Sequence, residues 1–185
     1  MKLNLRVKPR KRLPSREKVS LSQPQHANES WSIDFMSDSL MNGKAIRTMN
    51  IMDDYNREVL GIEVRHSFPA EQMTKILDPV AEWKGYPKQI RSDNGPEFIA
   101  RHTAQWTHEQ GVRWEFIQPG KPNQNGYVER MNRTYREDVL DAYLLKNLEE
   151  AQELTEEWVR MYNSQRPHKA LRNLTPYEYA MAAET

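Results

Sequence analysis

Three acidic residues of this 185-residue chain sit where a carboxylate is either unexpected or tightly held. Asp34 lies in "WSIDFMSDSL", whose alternation sets Trp31, Ile33 and Phe35 on one face of a strand and Ser32, Asp34 and Met36 on the other. An acid in such a strand calls for a partner or a metal ion. Asp93 lies in "RSDNGPEFIA". There Asn94-Gly95 make a turn that tolerates positive φ, and Pro96 suits the first position of a helix. Glu129 falls in the first turns of a later helix, beside core-facing Val128. Each has a simpler account when taken alone. Asp34 could be an oddity of its strand, Asp93 a helix cap, and Glu129 a first-turn acid favoured by the helix dipole.

The elements that must position these residues follow from pattern. A turn at Asn42-Gly43 joins the first strand to "AIRTMNIM", and "DDYNR" joins that to "EVLGIEVRHSF", giving three consecutive antiparallel strands. The period then becomes helical between Pro69 and Gly85, with Met73, Ile76, Leu77, Val80 and Ala81 on one stripe and Pro79 expected to kink or split it. A short strand ends near Asp93, and a helix is expected from Pro96 to about Gln110, with Phe98, Ile99, Thr103 and Trp106 inward. "VRWEFI" reads as a fifth strand and "QPGKPNQNG" as a mobile loop. A helix over about 127–145 should bury Val128, Met131, Tyr135, Val139 and Ala142, and another runs from about Leu148 to Tyr162. A short helix follows Thr175-Pro176. The order β-β-β-α-β-α-β-α-α predicts an α/β fold with a mixed five-stranded sheet flanked by helices.

Composition narrows the function. The length suits one domain with a sizeable core. The chain has no cysteine, which excludes disulfides and thiolate zinc sites. No apolar run reaches a membrane span, and no apolar segment follows the basic start as in a signal peptide, so a cytoplasmic protein with no membrane partner is expected. The net charge of +1 conceals eight Lys or Arg against one Glu in residues 1–18. That stretch, with Lys8, Arg10, Lys11 and Arg12, reads either as an arm that follows phosphates or as a solvated tail. The division expected is a basic arm and linker over 1–28, a core over 29–165 and a tail over 166–185.

Taken together, Asp34, Asp93 and Glu129, with 35 residues between the last two, resemble the DDE catalytic core of the transposase and retroviral integrase superfamily. The likeness is greatest to the B subunits of two-frame bacterial insertion sequences. It rests on "WSIDF", "IMDDYNREVLGIEV", "RSDNGPEF", "PGKPNQNGYVERMNRT", "YNSQRPHKAL" and "TPYEY", spanning roughly residues 29–180. The resemblance implies a ribonuclease H-like fold in which the three carboxylates hold two Mg²⁺ (or Mn²⁺) ions, Asp34 bridging both. It implies a DNA strand transferase that cuts at an element's end to a 3′-OH and joins that hydroxyl to another phosphodiester. Hard oxygen ligands suit Mg²⁺, and two such ions stabilise the charge that develops on attacking and leaving oxygens.

By the same resemblance Arg133 and Arg136 hold DNA near the metals, while Asn125, Gly126 and Lys121 shape the preceding loop against its backbone. Asn94 braces the turn. Asp53, Asp54, Arg166, Pro167 and His168 read as structural. The implied partners are DNA, further copies of the chain assembled on it, and a DNA-binding region or subunit from an upstream frame, in the bacterial nucleoid. The N-terminal helical region of such proteins is expected to be missing here, as in a truncated gene or an excised core. A ribonuclease H-type nuclease and a remnant that binds DNA or dimerises without turnover are the competing readings.

Overall fold

Alternation in the first third of the chain becomes an antiparallel meander of β1 (Ser30–Ser39), β2 (Ala45–Asp53) and β3 (Val59–Arg65). The computed structural model describes residues 24–118 and 125–183. Lys8, Arg10, Lys11 and Arg12 of the arm, and Lys121, therefore lie outside the described residues. The β1–β2 turn uses Gly43 at φ 78°, where a side chain would be strained. β4 (Gln89–Ser92) and β5 (Arg113–Phe116) are reached by crossovers and pair in parallel, giving the order β3-β2-β1-β4-β5.

Helices cover both faces. On one side α1 (Ala70–Lys84) and α2 (Arg101–Gln110) bury Met73, Leu77 and Trp106 against Trp31, Ile33 and Ile90. On the other, α3 (Gly126–Tyr135) and α4 (Leu148–Gln165) bury Val128, Met131, Tyr135 and Trp158 against Met52, Ile62 and Val64. Asp34 belongs to the β1 face beneath α3. The outer edge of β3 is sealed by side-chain amides of α4. Asn163 bonds both Val59 N and Val59 O at 2.9 Å, and Gln152 accepts from Val64 N at 2.9 Å. A final helix, α5 (Pro176–Ala183), starts at a reciprocal cap between Thr175 and Glu178.

Three expectations are corrected. First, α1 is continuous through Pro79. Pro79 and Lys75, whose carbonyl loses its intrahelical donor, are both exposed, so water can satisfy that oxygen. Second, α2 begins at Arg101 rather than Pro96, because residues 95–99 form a separate turn in which Phe98 N and Ile99 N both donate to Gly95 O. Phe98 is buried there, but Ile99 is 61% exposed instead of inward. Third, the helix over 127–145 stops being α-helical at Tyr135 and continues as a π-helical turn over Arg136–Leu140, marked by Asp141 N donating to Arg136 O at 2.8 Å. The extra residue rotates the segment after it, so Ala142 is exposed and Leu145 is buried in its place.

Candidate active site

Strand register brings the first two acids together. In the parallel β1–β4 pair, Ser32 lies opposite Arg91, and two residues further along each strand are Asp34 and Asp93. The third acid arrives with α3, which runs along β1 and is tied to it at three levels. Asn125 Nδ2 donates to Ile33 O at 3.3 Å, Asn132 Nδ2 to Asp34 Oδ2 at 2.7 Å, and Arg136 Nη2 to Ser37 O at 2.9 Å. Glu129 lies one turn before Asn132 on the same helical face.

The carboxylates act on one another. Asp34 is pushed up to about 6, chiefly by burial and further by the like charges of Asp93 and Glu129, against hydrogen bonds from Phe35 N and Asn132. Glu129 is also raised by burial, with the Arg133 guanidinium opposing. Asp34 is half-buried while Asp93 and Glu129 are exposed, so the first forms a floor and the other two a rim.

The turn at Asp93 is held from several directions. Asp93 Oδ1 accepts from Gly95 N at 2.9 Å, and Asn94 Nδ2 reaches Ile117 O at 3.2 Å, the bracing expected of it. Ser92 Oγ donates to Asp93 O at 2.8 Å and accepts from Trp114 Nε1 at 2.8 Å. Gly95 is needed for space and not for positive φ. It is not among the positive-φ glycines, and a Cβ there would stand 3.1 Å from Asp93 Oδ1 and 3.2 Å from Phe98 Cδ2.

Among the described residues, no group of three or more His, Asp and Glu side chains is drawn in to metal-holding distance. The donor chemistry nevertheless fits a hard divalent cation. The set is all carboxylate, and each carboxylate keeps acceptor sites beyond its present hydrogen bonds.

The other residues singled out by sequence divide. Arg133 is exposed beside Glu129, as a DNA contact requires. Arg136 is instead bound into the protein, paired with Asp38 at 3.0 Å and Asp141 at 3.6 Å. Asn125 is also not at the surface: it is 2% exposed, with its amide on the Ile33 carbonyl, so it positions α3 instead of presenting itself to a DNA backbone. Asp53 and Asp54 are structural, as expected. Asp54 accepts from Ser30, Ser32 and Arg91 at 3.1, 2.5 and 3.3 Å. Burial pushes Asp53 up to about 6 and raises Asp54 as well. His168 packs edge-on against Tyr162, and burial pushes it down to about 4.

Sequence reading overlooked Asn132 and Asn50. Asn50 lies opposite Asp34 in β2 and donates to Asn132 Oδ1 at 2.6 Å, which aims the Asn132 amide at the Asp34 carboxylate. The available signal was an asparagine three residues after Glu129, within the core stripe of Val128, Met131 and Tyr135.

The chain is similar to known proteins. Residues 24–122 match the integrase core domain family, and residues 110–176 match a second family of the same description. An uncharacterized 31.7 kDa protein of insertion element IS407 from Burkholderia multivorans is 40% identical over 164 residues, covering 89% of this chain and 59% of its own length. A 39.2 kDa protein of insertion element IS476 from Xanthomonas euvesicatoria is 34% identical over 178 residues, covering 96% and 51%. The chain thus spans between half and three-fifths of these curated relatives. The fold is shared with a chain of the simian T-cell lymphotropic virus intasome (TM-score 0.75, 16% identity, 91% of this chain and 60% of that one). It is shared also with the HTLV-2 integrase catalytic core solved with magnesium (TM-score 0.65, 18% identity, 83% and 96%). The mixed five-stranded sheet is thereby that of the ribonuclease H-like integrase cores. No helix among the described residues is long and apolar enough to cross a membrane.

Proposed function

The chain belongs to the integrase core domain family, and we propose that it is the catalytic part of a DNA strand transferase of an insertion element. In this reading it cuts DNA at an element's end to a 3′-OH and joins that hydroxyl to another phosphodiester. What supports the reading is the placement of Asp34 on β1, Asp93 just past β4 and Glu129 in the first turn of α3, near enough that the last two raise Asp34 by like charge.

Asp34, Asp93 and Glu129 would together hold two Mg²⁺ or Mn²⁺ ions. When bound, those ions neutralise charge on the attacking and leaving oxygens and lower the pKa of the attacking water or hydroxyl. The chain's own residues set up the rest. Asn132, oriented by Asn50, keeps the Asp34 carboxylate from rotating. The Asp93 turn keeps the second acid in register with it. Arg133, exposed one turn beyond Glu129, supplies positive charge to the phosphate backbone at the rim. Direct attack by water or a 3′-OH needs no covalent enzyme intermediate. The partners proposed are DNA, further copies of the chain, and a DNA-binding region or subunit from an upstream frame. Oligomers are consistent with the dimeric and trimeric forms in which the HTLV-2 core was solved.

The test is nicking and strand transfer on a labelled duplex carrying element ends, in Mg²⁺ or Mn²⁺, for the parent and for Asp34→Asn, Asp93→Asn and Glu129→Gln. Loss of both activities in all three, with unchanged circular dichroism, is expected. Cutting without joining by the parent would favour a plain nuclease, and DNA binding without either would favour a remnant. Metal-dependent activity retained by one variant would remove that residue from the site.

A further inference from the structure

We infer that Arg57, in the turn between β2 and β3, is a positioning residue that fixes the first turn of α3 and thereby Glu129. The inference rests on the proposed role of Glu129. Its observation is a contact between segments 70 residues apart in sequence: the Arg57 guanidinium carbon stands 3.3 Å from the centroid of the Tyr127 ring. Tyr127 lies two residues before Glu129, and only one residue separates it from Asn125, which immediately precedes α3.

Three features oppose an arginine at position 57. Its backbone is left-handed, at φ 60°, a conformation that costs a side-chain-bearing residue on the order of 1 kcal/mol. Its side chain is buried, 7% exposed, and Nη1 has no hydrogen-bond partner among the described residues. It also carries a positive charge to the N-terminal end of a helix, where the dipole disfavours cations. Glycine would escape all three. A residue so opposed persists where its surroundings over-determine it.

Those surroundings are visible. The Asp53–Glu58 turn is closed by Asp53 N donating to Glu58 O at 2.9 Å, and Asp54, Asn56 and Glu58 are all buried. The positive charge of Arg57 favours ionised Asp54, while the Tyr127 ring covers the guanidinium. α3, for its part, lacks an ordinary start. Among the described residues Asn125 makes no side-chain cap, and its buried Oδ1 has no partner. Among the described residues the opening turn is held by the Asn125 amide on the Ile33 carbonyl, by buried Val128 and by the Arg57–Tyr127 stack. A helix end without a cap frays, and fraying here moves Glu129 away from Asp34.

The experiment compares the parent with Arg57→Gly, Tyr127→Phe, Tyr127→Leu and the double variant Arg57→Gly/Tyr127→Leu. It uses two readouts, amide hydrogen exchange over residues 126–131 and steady-state nicking of a labelled duplex in Mn²⁺ over a range of DNA concentrations. Arg57→Gly relieves the strained φ while deleting the guanidinium, and Tyr127→Phe keeps the ring. Arg57→Gly and Tyr127→Leu are expected to speed exchange at 126–131 and lower kcat by about tenfold each, in the range of a desolvated cation–ring contact, with KM for DNA unchanged. Tyr127→Phe should match the parent, and the double variant should fall no further than its worse single parent. Unchanged exchange at 126–131, a loss carried by KM, or Tyr127→Phe failing as Tyr127→Leu does would each overturn the inference. Should Arg57→Gly not fold, the Tyr127 pair decides alone. If Glu129→Gln proves fully active, the proposed function fails, while hydrogen exchange still decides whether Arg57 holds α3.

Discussion

Replacing Asp34 with asparagine keeps the shape of the side chain and removes its charge, so it isolates the electrostatic load on the site. Asp34 titrates at about 6 in the folded chain against an ordinary 3.8. The folded state therefore holds this proton through a window in which the unfolded chain has lost it. Stability contributed by Asp34 is highest below the ordinary value and falls as pH rises through about 6. At ~1.4 kcal/mol per unit, the cost at pH 7 approaches ~3 kcal/mol. Residual solvent contact reduces that figure, and so does the asparagine, which cannot accept from both Phe35 N and Asn132 as the carboxylate does. A net gain of roughly 1–2 kcal/mol for Asp34→Asn at pH 7 remains, or a melting temperature higher by about 2–8 °C.

The assay is thermal unfolding followed by circular dichroism at fixed ionic strength with chelator, between pH 4 and pH 7. Asp53 also titrates at about 6, so the parent's own pH curve is not diagnostic. The difference between parent and variant is diagnostic, since Asp53 is common to both. That difference should vanish near pH 4 and reach its full size at pH 7. Added Mn²⁺ at about ten times Kd should then stabilise the parent by ~1.4 kcal/mol and leave Asp34→Asn almost unmoved. A pH-independent difference, or a variant less stable than the parent at pH 7, would refute the electrostatic reasoning. An equal Mn²⁺ response in both proteins would remove Asp34 from the metal site.

Asn132→Ala should abolish most activity and cost on the order of 1–3 kcal/mol, because Asn50 loses its buried acceptor and Asp34 loses its donor; denaturant unfolding alongside the nicking assay checks both. Gly95→Ala should lower activity more than stability, since the new methyl presses on Asp93 Oδ1; a Mn²⁺ titration of activity should show weaker metal use, and an unchanged titration would mean the turn has slack. Deleting residues 1–18 should weaken DNA binding regardless of sequence and flatten its salt dependence by about 0.9 for each phosphate no longer neutralised, as read by fluorescence anisotropy from low to high salt; an unchanged slope would leave the arm a solvated tail.

The order of strands and helices was legible in the sequence because its signals are local. The odd-even split of β1, the Asn42-Gly43 turn and the stripe of α1 each depend on residues a few positions apart, and each holds in the structure. The three acids drew notice for the same reason, as charges interrupting local patterns. Where two local signals competed, sequence reading erred. Pro96 announced a helix start, but Asp93 first captures Gly95 N and postpones α2 to Arg101. The π turn left no mark in the periodicity of residues 127–135, so Ala142 was read as core when it is exposed and Leu145 takes its place.

Only the tertiary structure decided which side chains meet across long separations. Asp34 and Asp93 are 59 residues apart and come together through the parallel register of β1 and β4, which no spacing along the chain encodes. Asn50 and Asn132 support Asp34 from 82 residues apart, and Arg57 reaches Tyr127 across 70. Asparagine and arginine are ordinary surface residues by composition, so burial alone reveals their roles here. Local sequence sets which way each residue faces within its element. The packing of elements then sets which of those faces share a buried contact, where an unpaired charge or amide is too costly to be accidental.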